Sequence, residues 1–210
     1  MNSFNAALVR AASWRSVEAT GLRTNESLPL LEPSRRPRSV EELADRLLCM
    51  ATVASHAFGL PLATCQEWLD QERLRTRLSA SERDFVSGAQ DQKLAIQMQV
   101  HSSYALAWSL SVVDDFSVNR KMPTDFVHRL PDIRNLEPSA TFRSRLVLRS
   151  IADLLTQLDA AYCFHWAWRD AYLSMDHSRP VNNLLMVGER RKALEWIFLD
   201  GNWDEVLLDT

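Results

Sequence analysis

Val147-Leu-Arg-Ser-Ile151-Ala-Asp-Leu154-Leu-Thr-Gln-Leu158-Asp-Ala-Ala161-Tyr-Cys-Phe-His165-Trp-Ala-Trp168-Arg-Asp-Ala-Tyr172 is the stretch that decides the fold class. From Val147 to Tyr172 its core-type positions step by 4-3-4-3-4-3-4, which returns them to one side of an α-helix turn after turn. Leu148, Leu155 and Tyr162 widen the stripe on one flank. The spacing predicts a long helix over 141–173.

Upstream, three sequences share the chemistry of a helix start. In Ser39-Val-Glu-Glu42, Thr64-Cys-Gln-Glu67 and Ser79-Ala-Ser-Glu82 a hydroxyl is placed to accept from the third helical amide. The glutamate is placed to reach back to the first residue's own amide. They predict short consecutive helices at about 40–57, 65–77 and 80–87, the last stopped by Gly88. Residues 91–100 alternate apolar and polar like a strand, but the spacing turns helical at Ala105, Trp108 and Val112 with no turn residue between. One helix over about 91–113 is the expectation. A short helix at about 124–130 lies between Pro123 and Pro131, and a last one runs over about 182–199 after Arg179-Pro180. At the other end, residues 5–19 read as a short helix ended by Gly21, followed by an extended Leu28–Pro33 and a basic hinge over Ser34–Arg38.

The fold class is therefore all-α: one compact bundle-like domain of about 6–8 helices. Residues 1–38 form an N-terminal preamble packed on it, and residues 39–210 form the helical domain.

Composition agrees. The chain has 210 residues, 46% hydrophobic and 24% charged, with only five glycines and eight prolines, which argues against a disordered chain and against a turn-rich sandwich. Residues 1–70 hold 7 bases and 8 acids, residues 71–140 hold 9 and 9, and residues 141–210 hold 8 and 10. With no basic third, no nucleic-acid partner is expected. Only Lys93, Lys121 and Lys192 are lysines; the other bases are arginine, the better partner in partly buried pairs. Cys49, Cys65 and Cys163 are odd in number and widely spaced, as free thiols of a reducing compartment would be. With no leader-like start and no long apolar run, a cytoplasmic protein without membrane contact is expected.

Chemical motifs are sparse. Di-metal bundles use Glu-x-x-His on two helices, and none occurs here; Asp125-x-x-His128 is the nearest echo. No metal and no cofactor are expected. There is no G-x-S-x-G elbow and no glycine-rich phosphate loop. One constellation stands out: Asp159, His165, Trp166 and Arg169 on the long helix, with Glu189 and Arg190 on the last. If the two helices pair antiparallel, these groups meet either as a Trp-lined cleft or as a buried polar network that fixes helix register. The acidic end, with Asp200, Trp203, Asp204, Glu205 and Asp209, reads either as a solvated terminus or as a surface for a basic partner.

Several short motifs resemble a known family. Ser27-Leu28-Pro29, Arg38-Ser39-Val40-Glu41-Glu42, His165-Trp166, Glu189-Arg190-x-x-Ala193-Leu194-x-Trp196 and Trp203-Asp204-x-Val206-x-x-Asp209-Thr210 are similar in order and spacing to the bacterial domain-of-unknown-function family 4272. The similarity covers about residues 12–210. It departs near His101-Ser-Ser-Tyr104-Ala-Leu-Ala-Trp108, where an acid is expected and none stands. The resemblance implies a mainly helical protein and supplies no activity.

The functional expectation is a non-catalytic protein-interaction module, an immunity-type partner that neutralises another bacterial protein such as a toxin. The alternative is a small helical enzyme or metabolite-binding protein with its pocket around His165 and Glu189. A homo-oligomer completed through an apolar helix face is a third arrangement.

Overall fold

Ser39 and Ser79 each sit in extended backbone, accept from the amide of the third helical residue, and receive that residue's glutamate on their own amide. They start two of the eight α-helices found in the computed structural model, which describes residues 4–31, 36–123, 125–174 and 181–209. The helices are α1 (Ala6–Glu18), α2 (Val40–Ala57), α3 (Leu62–Gln71), α4 (Ala80–Val86), α5 (Lys93–Ser109), α6 (Ala140–Arg143), α7 (Ile151–Leu173) and α8 (Val181–Trp196). Short 3-10 turns fill part of the connections, among them Phe126–Arg129, Ile133–Asn135 and Trp203–Glu205. No strand occurs among the described residues.

The long helices neighbour one another in the spatial order α2, α5, α8, α7, α1. The main core runs along this row, from Leu43 and Leu47 through Leu106 and Leu194 to Leu158 and Val17. A second core lies on the other side of α2, where Trp68, Phe85, Ile96 and Ile133 are buried against Leu48 and Val53. Helix α1 shares the main core through Val17, and the segment behind it adds Leu22 and Leu28.

Five expectations shift. The predicted helix at 65–77 becomes α3 over Leu62–Gln71, with Pro61 as its cap, so Thr64 lies inside the helix and its capping box does not form. Arg73, at φ 58°, ends that helix region. The predicted helix at 91–113 is α5, stopped at Ser109 by Ser111 at φ 58°. Its strand-like pattern has a physical cause. Over 93–100 only Ile96 and Gln99 are buried and Leu94 is exposed, so the apolar residues there do not mark one buried face; from Ser102 to Ser109, between α2 and α8, every residue is buried. Ser103 and Ser109 satisfy their hydroxyls on the carbonyls four residues back.

The predicted helix over 141–173 is broken. After α6 the chain runs extended through Val147–Arg149, donating Val147 N–H to Leu110 O and Arg149 N–H to Ser109 O. Arg149 also donates its guanidinium to Trp108 O and Val113 O, closing the C-terminal end of α5. Helix α7 then starts afresh at Ser150, whose hydroxyl accepts from Asp153 N. Val147 is thus exposed instead of belonging to the stripe, and Ile151 and Tyr172 at the helix ends are exposed as well. The last helix ends at Trp196, three residues short of the expected 199. The short helix expected near 124–130 is the 3-10 turn Phe126–Arg129, and Thr124 lies outside the described residues. So do Glu32–Arg35 and Met175–Pro180, which hold parts of the expected hinge and of the loop between the last two helices.

Candidate functional site

Helix α8 lies between α5 and α7, so successive residues of one turn face different neighbours. His165 on α7 faces Gly188, and Tyr162 faces Arg191, which makes the two helices antiparallel. Glycine suits position 188: a Cβ there would stand 3.4 Å from His165 Nε2.

Of the six residues expected to form one pocket, Asp159, His165, Glu189 and Arg190 are divided among three polar clusters. The first joins α1 to α7. Arg10 donates through Nε and Nη2 to Asp159, and through Nη1 and Nη2 to Leu28 O and Pro29 O. Cys163, one turn along, is 3.9 Å from the same carboxylate, and its thiol is pushed up to about 12 by burial and by Asp159.

The second cluster joins α7 to α8. Arg191 Nη1 donates to His165 Nδ1 at 2.9 Å, which requires a neutral imidazole with its proton on Nε2. Burial first, then the charges of Arg191 and Arg169, hold His165 down to about 4. Arg191 also lies over the Tyr162 ring at 4.3 Å and donates to the carbonyl of Asp209.

The third joins α5 to α8. The Ser102 hydroxyl makes short contacts to the Glu189 carboxylate (2.7 Å) and to its backbone carbonyl (2.8 Å), while burial raises the Glu189 pKa. Arg190 is fully buried and donates Nη1 to Ser117 O, Val118 O and Arg120 O. The rings of Tyr104 and Phe116 lie beside it, and no carboxylate among the described residues pairs with it. Burial lowers its pKa to about 10, and burial together with Arg190 lowers His101 to about 4. Trp166 is half-buried against the main core, and Arg169 is exposed on the flank of α7.

The acidic end is largely consumed by the fold. Trp203 is buried, edge-on to Trp196 at 5.8 Å, with Arg46 and Lys192 over its ring. Asp204 accepts from Ala80 N and from the Ser81 hydroxyl at the start of α4. Partial burial alone would raise its pKa, but these hydrogen bonds outweigh it and the net direction is down. Glu205 bonds back to Asn202. Asp200 and Asp209 remain exposed. Arg38 holds this end in place: it stacks on Trp196 at 4.2 Å and donates to the carbonyls of Trp196, Leu199 and Gly201.

Sequence reasoning did not find two features. One is the buried Arg46–Glu82 ion pair linking α2 to α4, in which the capping glutamate Glu82 serves twice. The other is a groove of about 800 Å³ between the ends of α2, the middle of α5 and the 126–137 segment. Its floor is made of small side chains, Ala51, Ala54, Ser55 and Ser103, and its walls include Leu60, Phe126, Leu130 and Ile133. Phe58 and Val127 stand exposed at its lip. None of the six expected site residues lines it. The visible signals were the Gly59-Leu60-Pro61 and Leu130-Pro131 breaks, which mark bends without saying that they face each other.

Among the described residues no group of three or more His, Cys, Asp or Glu side chains is placed to hold a metal ion. No helix is long and apolar enough to cross a membrane.

Neither a curated protein nor a solved structure matches this chain. A domain of unknown function, DUF4272, matches residues 10–206, nearly the whole length. Motif residues far apart in sequence meet in the fold: Arg38, Trp196, Trp203 and Asp204 gather where the chain end is clamped against α2, α4 and α8. The chain belongs to the DUF4272 family.

Proposed function

We propose that this chain is a non-catalytic protein-binding module whose docking face is the groove between α2, α5 and the 126–137 segment. The observation that carries this reading is the groove itself. It is mainly apolar, and exposed Phe58 and Val127 extend its apolar lining onto the surface. On α5, Gln97 donates to Ala57 O beside Phe58, and Leu94, one turn before Gln97, is largely exposed. The polar groups that sequence reasoning favoured have partners inside the fold, which suits a register-fixing network better than a reaction centre.

The narrower form of this reading is a neutralising, immunity-type partner of another bacterial protein such as a toxin. The setting is the cytoplasm, in keeping with three free, buried cysteines. The acidic end is a weaker candidate for the partner face, because Trp203 is buried and Asp204 is bound to α4.

Affinity purification of the tagged chain from its native host, side by side with Phe58→Glu, tests the proposal. A stoichiometric partner kept in high salt by the wild type and lost by the variant is the expected result. A partner retained equally by both moves the interface elsewhere, and co-expression with that partner then tests neutralisation directly.

The alternative, a small helical enzyme or metabolite-binding protein around His165 and Glu189, has its own test. It requires His165→Ala to abolish ligand binding at little cost in stability. A loss of several kcal/mol without a binding defect assigns His165 to the core.

A further inference from the structure

Two concavities meet at Leu130 and Pro131. The apolar groove lies on one side, and on the other lies a second cleft of about 450 Å³ between α6 and the 3-10 turn Phe126–Arg129. His128, Leu130, Pro131 and Glu137 line both, so the two clefts share one edge, and a bound segment crossing that edge would run through both as one channel. Its first half is mainly apolar but also carries Asp132 and Arg134. Its second half carries Arg129 and Arg145.

The charges along this channel are not balanced for a ligand. Asp132 and Glu137 are the acids that line it, and both carboxylates are taken by neighbouring groups. Glu137 accepts from Asp132 N, and Asp132 accepts from Arg134 N and the Asn135 amide. Arg129 and Arg145 form no ion pair with any described residue, and Arg129 makes one long hydrogen bond, to Val112 O at 3.4 Å. Arg134, mostly exposed, reaches Asp132 only at 3.6 Å. Arg129 and Arg145 are therefore left to face whatever occupies the channel.

Resting on the protein-binding reading, we infer that the occupant is an amphipathic acidic segment of the partner protein. Its apolar side chains fill the α2/α5 groove, and one or more neighbouring aspartates or glutamates reach Arg129 and Arg145. The apolar half supplies affinity by burial, and the arginine half fixes direction and register, since guanidinium groups recognise carboxylates with defined geometry.

Display of random peptides of about twelve residues on the immobilised full chain tests this without knowledge of the partner. The enriched peptides are expected to combine two or more large apolar residues with Asp or Glu. A synthetic representative is expected to lose about tenfold or more in affinity to Ser55→Trp, which fills the groove floor, and to the Arg129→Glu/Arg145→Glu double variant. Salt should weaken wild-type binding and leave the residual binding of the double variant nearly unchanged. Phe58→Glu, at an exposed position, repeats the groove test if Ser55→Trp proves unfolded. No enrichment, enrichment of neutral or basic peptides, or affinity unaffected by these substitutions overturns the inference. So does a dimer of the chain itself that Phe58→Glu dissociates, since the occupant is then a second copy. If the host partner depends on Phe58 yet the peptides show no acidic preference, the docking face stands and its acidic occupant falls.

Discussion

Arg10 on α1 and Asp159 on α7, 149 residues apart in sequence, meet at 2.8 Å with 2% of each side chain exposed. The same guanidinium gathers the carbonyls of Leu28 and Pro29, so one residue ties the first helix, the extended segment behind it and the long helix together. Removing one half of such a pair leaves the other charged and buried. Arg10→Ala should cost about 3–5 kcal/mol, and an Arg10→Met/Asp159→Leu double variant should recover much of that loss. Urea unfolding of the three chains measures it; a single-variant cost under about 1 kcal/mol would contradict the buried geometry.

His165 makes stability depend on pH. Its folded pKa is about 4 against 6.5 for a free imidazole, so between those values the unfolded chain binds more protons than the folded one. Stability should therefore fall as pH drops from about 6.5 toward 4, by on the order of 3 kcal/mol from this group alone. His101 acts in the same direction, while Glu189, whose pKa burial raises, acts in the opposite one. The difference between wild type and His165→Gln isolates the contribution. Melting temperatures from pH 7.5 to 4.5 should converge at the acid end, and parallel curves would refute the buried neutral histidine.

The chain end should be released by loss of Arg38. Lysine keeps the charge but not the planar stack on Trp196 or the fork that reaches three carbonyls. Arg38→Lys is expected to cost about 1–3 kcal/mol and to expose residues 203–209 to proteolysis and amide exchange. Unchanged protection of Val206 in the variant would show that Trp203 alone holds the end.

Helix caps separate what the sequence states from what it merely permits. Ser39→Ala, Ser79→Ala and Ser150→Ala should each cost about 1 kcal/mol, because each hydroxyl accepts from a helix-start amide. Thr64→Ala should cost less than about 0.5 kcal/mol, because Thr64 lies inside α3 and caps nothing. Chemical denaturation of the four variants decides between the two behaviours.

The contrast between Thr64 and Ser150 shows why the helices were legible and their limits were not. A capping box is a local pattern, but Pro61, with its fixed φ, starts α3 three residues before Thr64. Ser150, in turn, breaks a periodicity that continues through it because Ser109 O and Leu110 O at the end of α5 hold the chain extended at Val147–Arg149. In α5 the ambiguity ran the other way. Exposed Leu94 and buried Ile96 and Gln99 leave 93–100 without a clear helical face, and farther along Ser103 and Ser109 bond to carbonyls four residues back.

The candidate site divides along the same line. That His165, Glu189 and Arg190 are unusual is visible in a single sequence, since ionisable groups at apolar positions of helices are rare. Which of them meet is not, because α8 lies between two neighbours and sends Glu189 and Arg190 toward α5 but Arg191 toward α7.

By itself the sequence determined the all-α class, a helix count within the expected 6–8 and two of the three predicted capping boxes, all of which depend on residues within a turn or two of one another. The tertiary structure alone decided that Asp159 belongs to Arg10, that Trp203 and Asp204 are held inward, and that Gly59–Pro61 and Leu130–Pro131 face across one groove. Such relations join residues as far as 149 positions apart. Helix packing fixes them by burying apolar faces, and the polar partners follow from that placement.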